Sequence, residues 1–322
     1  MSLGYDQALY LLPFDHRHSY VTDMFHLEPP LTAPQRDQVL DSKQLIYEGF
    51  RQALTEGVPF EAAGILVDEQ FGAVILRDAR QRGCVTALSV ERSGTDEFEF
   101  EYGADFASHI EAFDPTFAKV LVRYNPQGDQ ALNLRQLGRL KQLSGYCRRS
   151  QRRFMFELLV PPTDDQLARS GGNKDVFDRQ ARPLLMQQTL HALQDAGIEP
   201  DVWKVEGLDL HADGERIVQI ARRGGRERVG CIVLGRGADE ARVRGWLTVA
   251  AGVPGFIGFA VGRTSFWDAV SGYHAQTLTR AEAAAQIAGR LREWVNIFES
   301  GRLARVACAN PMAIVTARPP SE

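Results

Sequence analysis

The chain has 322 residues, about two ordinary domains by length alone, although α/β barrels of well over roughly 200 residues fold as one. Lysine plus arginine (37) against aspartate plus glutamate (41) leaves a net charge of -4, which excludes a global nucleic-acid footprint. A hydrophobic content of 44% and a charged content of 24% exclude a disordered or collagen-like chain, and no apolar run reaches the roughly 18 residues of a membrane span.

The opening residues, Met1-Ser-Leu-Gly-Tyr-Asp-Gln, have neither the basic nor the apolar region of a secretory signal, so none is expected. A first strand is predicted at 8–14, and the long connection over 15–32, with Pro29 and Pro30, is expected to cross the mouth of the fold. A helix follows at 34–56, with Val39, Leu45, Ile46, Phe50 and Leu54 on its apolar face. Strands at 62–68 and 85–90 come next, each followed by a helix-length segment. The strand at 117–124 leads to a helix at 132–149, and the strand at 153–160 to a long helix at 174–196 closed by Gly197. Strands at 202–206, 229–234 and 255–261 complete the series, with helices at 238–251, closed by Gly252, and at 278–299. Most strands are nearly continuous in Val, Ile, Leu, Phe and Ala, the pattern of parallel strands covered on both faces.

Eight strand–helix units with no linker or low-complexity tract predict a single-domain (β/α)8 barrel over 1–300 and a C-terminal tail over 301–322. The stretch 306–315 of that tail is expected to pack on the barrel base or on a neighbour. A doubly wound open sheet would carry a Gly-rich phosphate loop after its first strand, and Pro13-Phe-Asp15-His-Arg17 is not one. Cys84, Cys147, Cys231 and Cys308 form no CxxC pair and read as reduced, mostly buried thiols of a cytoplasmic protein.

In such a barrel the chemistry sits at the C-terminal strand ends, so charges embedded there are informative. The first strand ends in Asp15 and Arg17, the fourth holds Lys119, the fifth Glu157 and the sixth Lys204 with Glu206. Any one of these suits a structural ion pair; two lysines and two carboxylates converging from four strands suit amine catalysis. A lysine attacks a ketone only as the neutral amine, and burial beside a second ammonium brings the pKa of such a group to roughly 7–8. Either Lys119 or Lys204 suits the nucleophile's part, with the other as the activating charge. Glu157 suits proton transfer, and Asp15 suits holding a hydroxyl or orienting a lysine. The seventh strand runs into Gly235-Arg236-Gly237 and the eighth into Gly262-Arg263, the loops where this architecture collects phosphate. Arg236 and Arg263 are the candidate phosphate grips. His16 and His18 imitate the HxH of metal-dependent amidohydrolase barrels, but the fifth and sixth strands offer Glu157 and Lys204 where those enzymes need histidines. No metal and no cofactor are expected, because the seven histidines are scattered.

These residues resemble the class I aldolases of the tagatose-bisphosphate type, and more closely the aldolase-like domain fused to sugar kinases in bacterial inositol catabolism. The likeness spans roughly 8 to 300 and rests on Pro-Phe-Asp15-His-Arg17, Ala-Lys119-Val-Leu-Val-Arg, Phe-Glu157-Leu-Leu-Val-Pro-Pro, Trp-Lys204-Val-Glu206-Gly and the two Gly-Arg loops. It implies a Schiff base on Lys204, Glu157 as acid/base, and Asp15 and Lys119 lining the site. Kinase-fused relatives are thought to cleave 6-phospho-5-dehydro-2-deoxygluconate to dihydroxyacetone phosphate and malonate semialdehyde. This chain departs from the tagatose enzymes at its seventh strand, which ends in Gly-Arg-Gly rather than a serine-bearing loop. Alternatives are a tagatose-bisphosphate or sulfosugar-phosphate aldolase or transaldolase, and a non-catalytic sugar-phosphate-binding barrel. The expected partner is a small phosphorylated sugar or keto acid, with no nucleic acid and no membrane; homo-oligomers paired through outer helices are common among large barrels.

Overall fold

The computed structural model describes residues 2–309. Parallel strands close into a barrel in chain order: β1 (Leu9–Pro13), β2 (Ala63–Val67), β3 (Val85–Ser89), β4 (Phe117–Arg123), β5 (Arg153–Leu159), β6 (Val202–Glu206), β7 (Gly230–Leu234) and β8 (Phe256–Ala260), with β8 pairing back onto β1. Each lies within one residue of its predicted run at either end. The connections carry α1 (His18–Phe25), α2 (Ala33–Thr55), α3 (Glu69–Gln81), α4 (Phe106–Phe113), α5 (Gln130–Arg149) and α6 (Asp164–Arg169). Then follow α7 (Lys174–Gln180), α8 (Arg182–Asp195), α9 (His211–Ala221), α10 (Glu240–Gly252), α11 (Arg263–His274) and α12 (Arg280–Ala309). Among the described residues, no helix is long and apolar enough to cross a membrane.

Two expectations change in detail. The helix predicted over 174–196 breaks into α7 and α8, because Pro183 cannot donate a backbone hydrogen bond and instead sits in the first turn of α8. The connection over 15–32 is not all loop: α1 forms there and ends at His26 in a left-handed conformation. Gly197 takes the left-handed cap geometry expected of it, with φ of 79°, whereas Gly252 is the last residue of α10 and Val253 follows as cap. α12 runs through Gly301 to Ala309, while the stretch 306–315 lies outside the residues whose side chains are described.

Alternation along the strands sorts the side chains into two cores. Leu9 and Leu11, Phe117, Met155 and Val202 fill the barrel interior, while Tyr10, Leu12, Val120, Phe156 and Trp203 pack outward under the helices. One step further along the inward face of β4, β5 and β6 come Lys119, Glu157 and Lys204, so apolar layers below raise the charges toward the C-terminal mouth. α12 lies against α2, α10 and α11. Its approach to α2 depends on Gly49, where a Cβ would meet the Ile287 side chain at 2.6 Å.

A buried ion pair braces the first loops. Asp68, at the end of β2, accepts the Phe71 N–H at 2.8 Å as the cap of α3 and pairs with Lys43 of α2, both side chains fully buried. Lys43 also donates to the His16 carbonyl at 3.0 Å, which ties α2 and β2 to the loop after β1. Burial pulls the Lys43 ammonium below its ordinary pKa, against the pull of Asp68. Asp68→Ala leaves that ammonium without its counter-ion and is expected to cost about 3–5 kcal/mol in urea unfolding. Lys43→Met combined with Asp68→Leu should recover more than half of the loss.

Candidate active site

The register of the barrel builds the central contact. Glu157 of β5 and Lys204 of β6 are direct partners across a parallel ladder and point to the same inward face, so Lys204 Nζ meets Glu157 Oε2 at 2.8 Å. Lys119, one strand earlier, reaches the same oxygen at 2.9 Å. Its ammonium also donates to Asp15 Oδ2 and to Glu91 Oε1, each at 2.7 Å. The result is one buried network of two ammoniums and three carboxyl groups, with Lys119 only 1% exposed and Lys204 3%. It forms the floor of a cavity of about 390 Å³ at the C-terminal end of the barrel. Of the residues singled out in the sequence, Asp15, Arg17, Lys119, Glu157, Lys204, Gly235, Arg236, Gly237, Gly262 and Arg263 all line this cavity. Glu206 does not. Its carboxylate accepts the Val160 N–H at 2.9 Å and pairs with Arg182 and Arg236, both at 3.2 Å.

Burial and ion pairing compete for each charge. Burial favours a neutral Lys119, yet Asp15, Glu157 and Glu91 outweigh it and hold its pKa well above the ordinary lysine value. Burial likewise pushes Asp15 and Glu157 up, and Lys119 beside both, with Lys204, brings each below the usual carboxylate value. Glu91 goes the other way: burial wins over Lys119 and raises it. Burial pushes His16 down to about 4, so its imidazole is neutral at physiological pH. Glu91 was missed from the sequence because it stands one residue past the predicted strand, in a loop crowded with carboxylates. The signal was its place, directly after an apolar strand, as Asp15 stands after the first.

The β7 and β8 rim holds the cationic side. Arg236, with φ of 53°, and Gly237, with φ of 69°, are consecutive left-handed residues. The Arg236 guanidinium is held by Asp178 of α7 at 2.7 Å as well as by Glu206. Arg263 opens α11 on the cavity wall and donates to the Arg236 carbonyl at 3.3 Å. Arg17, Arg92, Arg123 and Arg236 each have a carboxylate partner; among the described residues Arg263 is the arginine of the cavity wall without one. Gly262 lets this rim close on β1, since a Cβ there would meet the Pro13 carbonyl oxygen at 2.3 Å. Among the described residues, no group of three histidine, cysteine, aspartate or glutamate side chains is placed to hold a metal ion.

A family model described as "Uncharacterized protein conserved in bacteria (DUF2090)" matches residues 4–302. The chain belongs to this family. No curated protein matches it. Among solved structures, this DUF2090 chain is similar to Cgl0159 from Corynebacterium glutamicum (Brevibacterium flavum), at 17% identity and a TM-score of 0.54 over 90% of this chain and 88% of that one. It is also similar to a fructose-bisphosphate aldolase from Plasmodium falciparum, at 13% identity and a TM-score of 0.57 over 92% of each chain. At these identities the likeness is one of fold, and the fold is the (β/α)8 barrel.

The Glu206 cluster has a pH signature. Burial pushes this carboxyl up to about 7, against the pull of Arg182. A carboxyl whose folded pKa is raised binds its proton more tightly in the folded state. Its contribution to stability is therefore full below the ordinary glutamate value and is lost as pH rises through about 7. Glu206→Gln keeps the neutral form at every pH, so its stability should fall less than that of the wild-type protein between pH 5 and 8 in urea unfolding. Parallel pH profiles would contradict the assignment.

Proposed function

We propose that the chain is a class I aldolase, cleaving a phosphorylated ketose or keto acid through an imine on Lys204 with no metal ion. The observation that carries this reading is the meeting of two buried ammoniums, Lys204 and Lys119, on one oxygen of Glu157. A structural ion pair needs one cation; the second brings a primary amine to a carboxylate that can take its proton. The fold shared with a fructose-bisphosphate aldolase is consistent with this chemistry but does not select it.

Each residue then has a task. Lys204 passes a proton to Glu157, and its amine adds to the substrate ketone. Glu157 returns the proton to the carbinolamine oxygen, water leaves, and an iminium remains. The bond between the α and β carbons breaks as its electrons move into the iminium, giving an enamine and releasing an aldehyde. Glu157, which takes a new proton from solvent water once the aldehyde has left, protonates the enamine carbon, and water hydrolyses the second imine. Lys119 stays charged and keeps Glu157 ionised for the first of these transfers. Asp15 orients Lys119 and is one hydrogen bond from it. Arg263, with no carboxylate partner among the described residues, holds the phosphate together with the positive end of α11. Arg236 shapes the opposing loop, and Arg17 braces the mouth through Glu101. The substrate read from the family resemblance is 6-phospho-5-dehydro-2-deoxygluconate, with dihydroxyacetone phosphate as the product carried on Lys204. Free, buried Cys84, Cys147 and Cys231 suit a reducing compartment, and we place the protein in the cytoplasm.

Borohydride reduction in the presence of dihydroxyacetone phosphate should add the mass of the reduced adduct to the peptide containing Lys204. An adduct on Lys119 would exchange the two lysines' roles, and no adduct would sink the imine. Arg263→Ala should lower kcat/KM for phosphorylated substrate by about 10- to 150-fold, the equivalent of a charge-assisted contact of roughly 1.5–3 kcal/mol. It should also abolish the preference over the dephosphorylated substrate, with kcat falling because the remote phosphate helps to position the ketone. An intact preference would place the phosphate elsewhere, with Arg17 the next candidate.

A further inference from the structure

The steps above leave one proton without a destination: that of the hydroxyl on the β carbon, released as the carbon–carbon bond breaks. We infer that Glu91 is a second acid/base group of this site, receiving that hydroxyl proton in cleavage and returning it in condensation. The inference rests on the imine reading of Lys204 and adds a residue that neither the sequence motifs nor the family resemblance assigned.

Glu91 is held as a site residue rather than a surface carboxylate. Its backbone is bridged to Phe100, Arg92 N–H donates to the Glu99 carbonyl at 2.8 Å, and Glu101 N–H donates to the Val90 carbonyl at 3.0 Å. The Arg17 guanidinium donates to the Glu91 carbonyl while pairing with Glu101. The loop after β3 is thereby pinned to the loop after β1, with the Glu91 side chain on the cavity wall. The residue is 8% exposed, and its two oxygens differ: Oε1 accepts from Lys119, whereas Oε2 is buried with no hydrogen-bond partner among the described residues. A buried carboxyl oxygen facing no donor is a costly arrangement that a bound hydroxyl would relieve.

Its position fits the β-hydroxyl. Glu157 touches Lys204 directly, while Glu91 is separated from Glu157 by the Lys119 ammonium that both contact. The hydroxyl oxygen of an iminium adduct lies four bonds from the lysine nitrogen, beyond the reach that serves the imine itself. In cleavage the O–H electrons become the carbonyl π bond, the carbon–carbon pair moves into the iminium to give the enamine, and the proton goes to the Glu91 carboxylate, which passes it to solvent once the aldehyde has left. Lys119 holds Oε1 of that carboxylate throughout. Burial raises the basicity of this carboxyl, which favours it as a proton acceptor once ionised.

The division of labour between Glu157 and Glu91 separates two measurable reactions. Exchange of the C3 proton of dihydroxyacetone phosphate with solvent deuterium needs Lys204 and Glu157 but no aldehyde. Condensation of dihydroxyacetone phosphate with D-glyceraldehyde or malonate semialdehyde also needs a proton for the new alkoxide. Glu91→Gln should keep borohydride trapping on Lys204 and keep exchange within about threefold, while condensation falls at least about 100-fold, the ordinary size of a lost general acid/base. Retained exchange also shows that the variant is folded. Glu157→Gln should lose both reactions, and Glu91→Asp should restore part of the condensation rate. Condensation by Glu91→Gln within tenfold of wild type would overturn the inference. So would equal loss of exchange and condensation, which would make Glu91 a positioning residue acting through Lys119. If the wild-type protein traps no adduct, the imine reading itself fails, and this inference falls with it.

Discussion

The Lys119 ammonium, enclosed by Asp15, Glu91 and Glu157, sets the terms for the whole mouth of the barrel. An ion of this kind loses several kcal/mol of solvation on burial, and the protein must replace what water supplied. Three carboxyl groups from β5 and the loops after β1 and β3 do so, and each is in turn held by the strand or loop that carries it. Neutralising Lys119 would leave Asp15 and Glu157 as buried carboxylates at close quarters. The contacts of Glu157 with both lysines hold its carboxylate in place, which gives Lys204 a fixed acceptor for its proton on the reading proposed above.

The barrel was legible from the sequence because parallel strands covered on both faces are short and nearly continuously apolar, and eight such runs alternate with helix-length segments. The same contrast exposed Lys119, Glu157 and Lys204: a charge within an apolar strand has nowhere neutral to go. Side-chain period and ladder register then carried them to one face, and no long-range information was needed to expect it.

Glu91 and the partners of Arg236 were hidden for a different reason. Glu91 belongs to a loop that includes Asp96, Glu97, Glu99 and Glu101, where composition alone does not say which carboxylate turns inward. Arg236 and Asp178 meet across 58 residues, and Glu206 joins them from β6. Glu206 shares its strand with Lys204 and was singled out with it, yet Arg182 and Arg236 hold its Oε1 and the Val160 N–H its Oε2, away from the cavity. Contacts of this kind depend on how loops fold over the rim, and local pattern carries no record of that. The break between α7 and α8 was visible in Pro183; the helical period on both sides of it concealed the interruption.

The close approach of Gly262 to Pro13 marks the seam where β8 meets β1. The cavity straddles that seam, with Asp15 on one side and Arg263 on the other. Asp15 and Arg263, which follow the first and the eighth strand, face each other across the cavity only when β8 has docked on β1. During synthesis, a chain that has left the ribosome as far as β7 already holds Lys119, Glu157 and Lys204 but lacks the wall that carries Arg263. Any ligand that touches both walls discriminates between the finished barrel and every shorter intermediate, and so acts as a clasp on the final step of assembly.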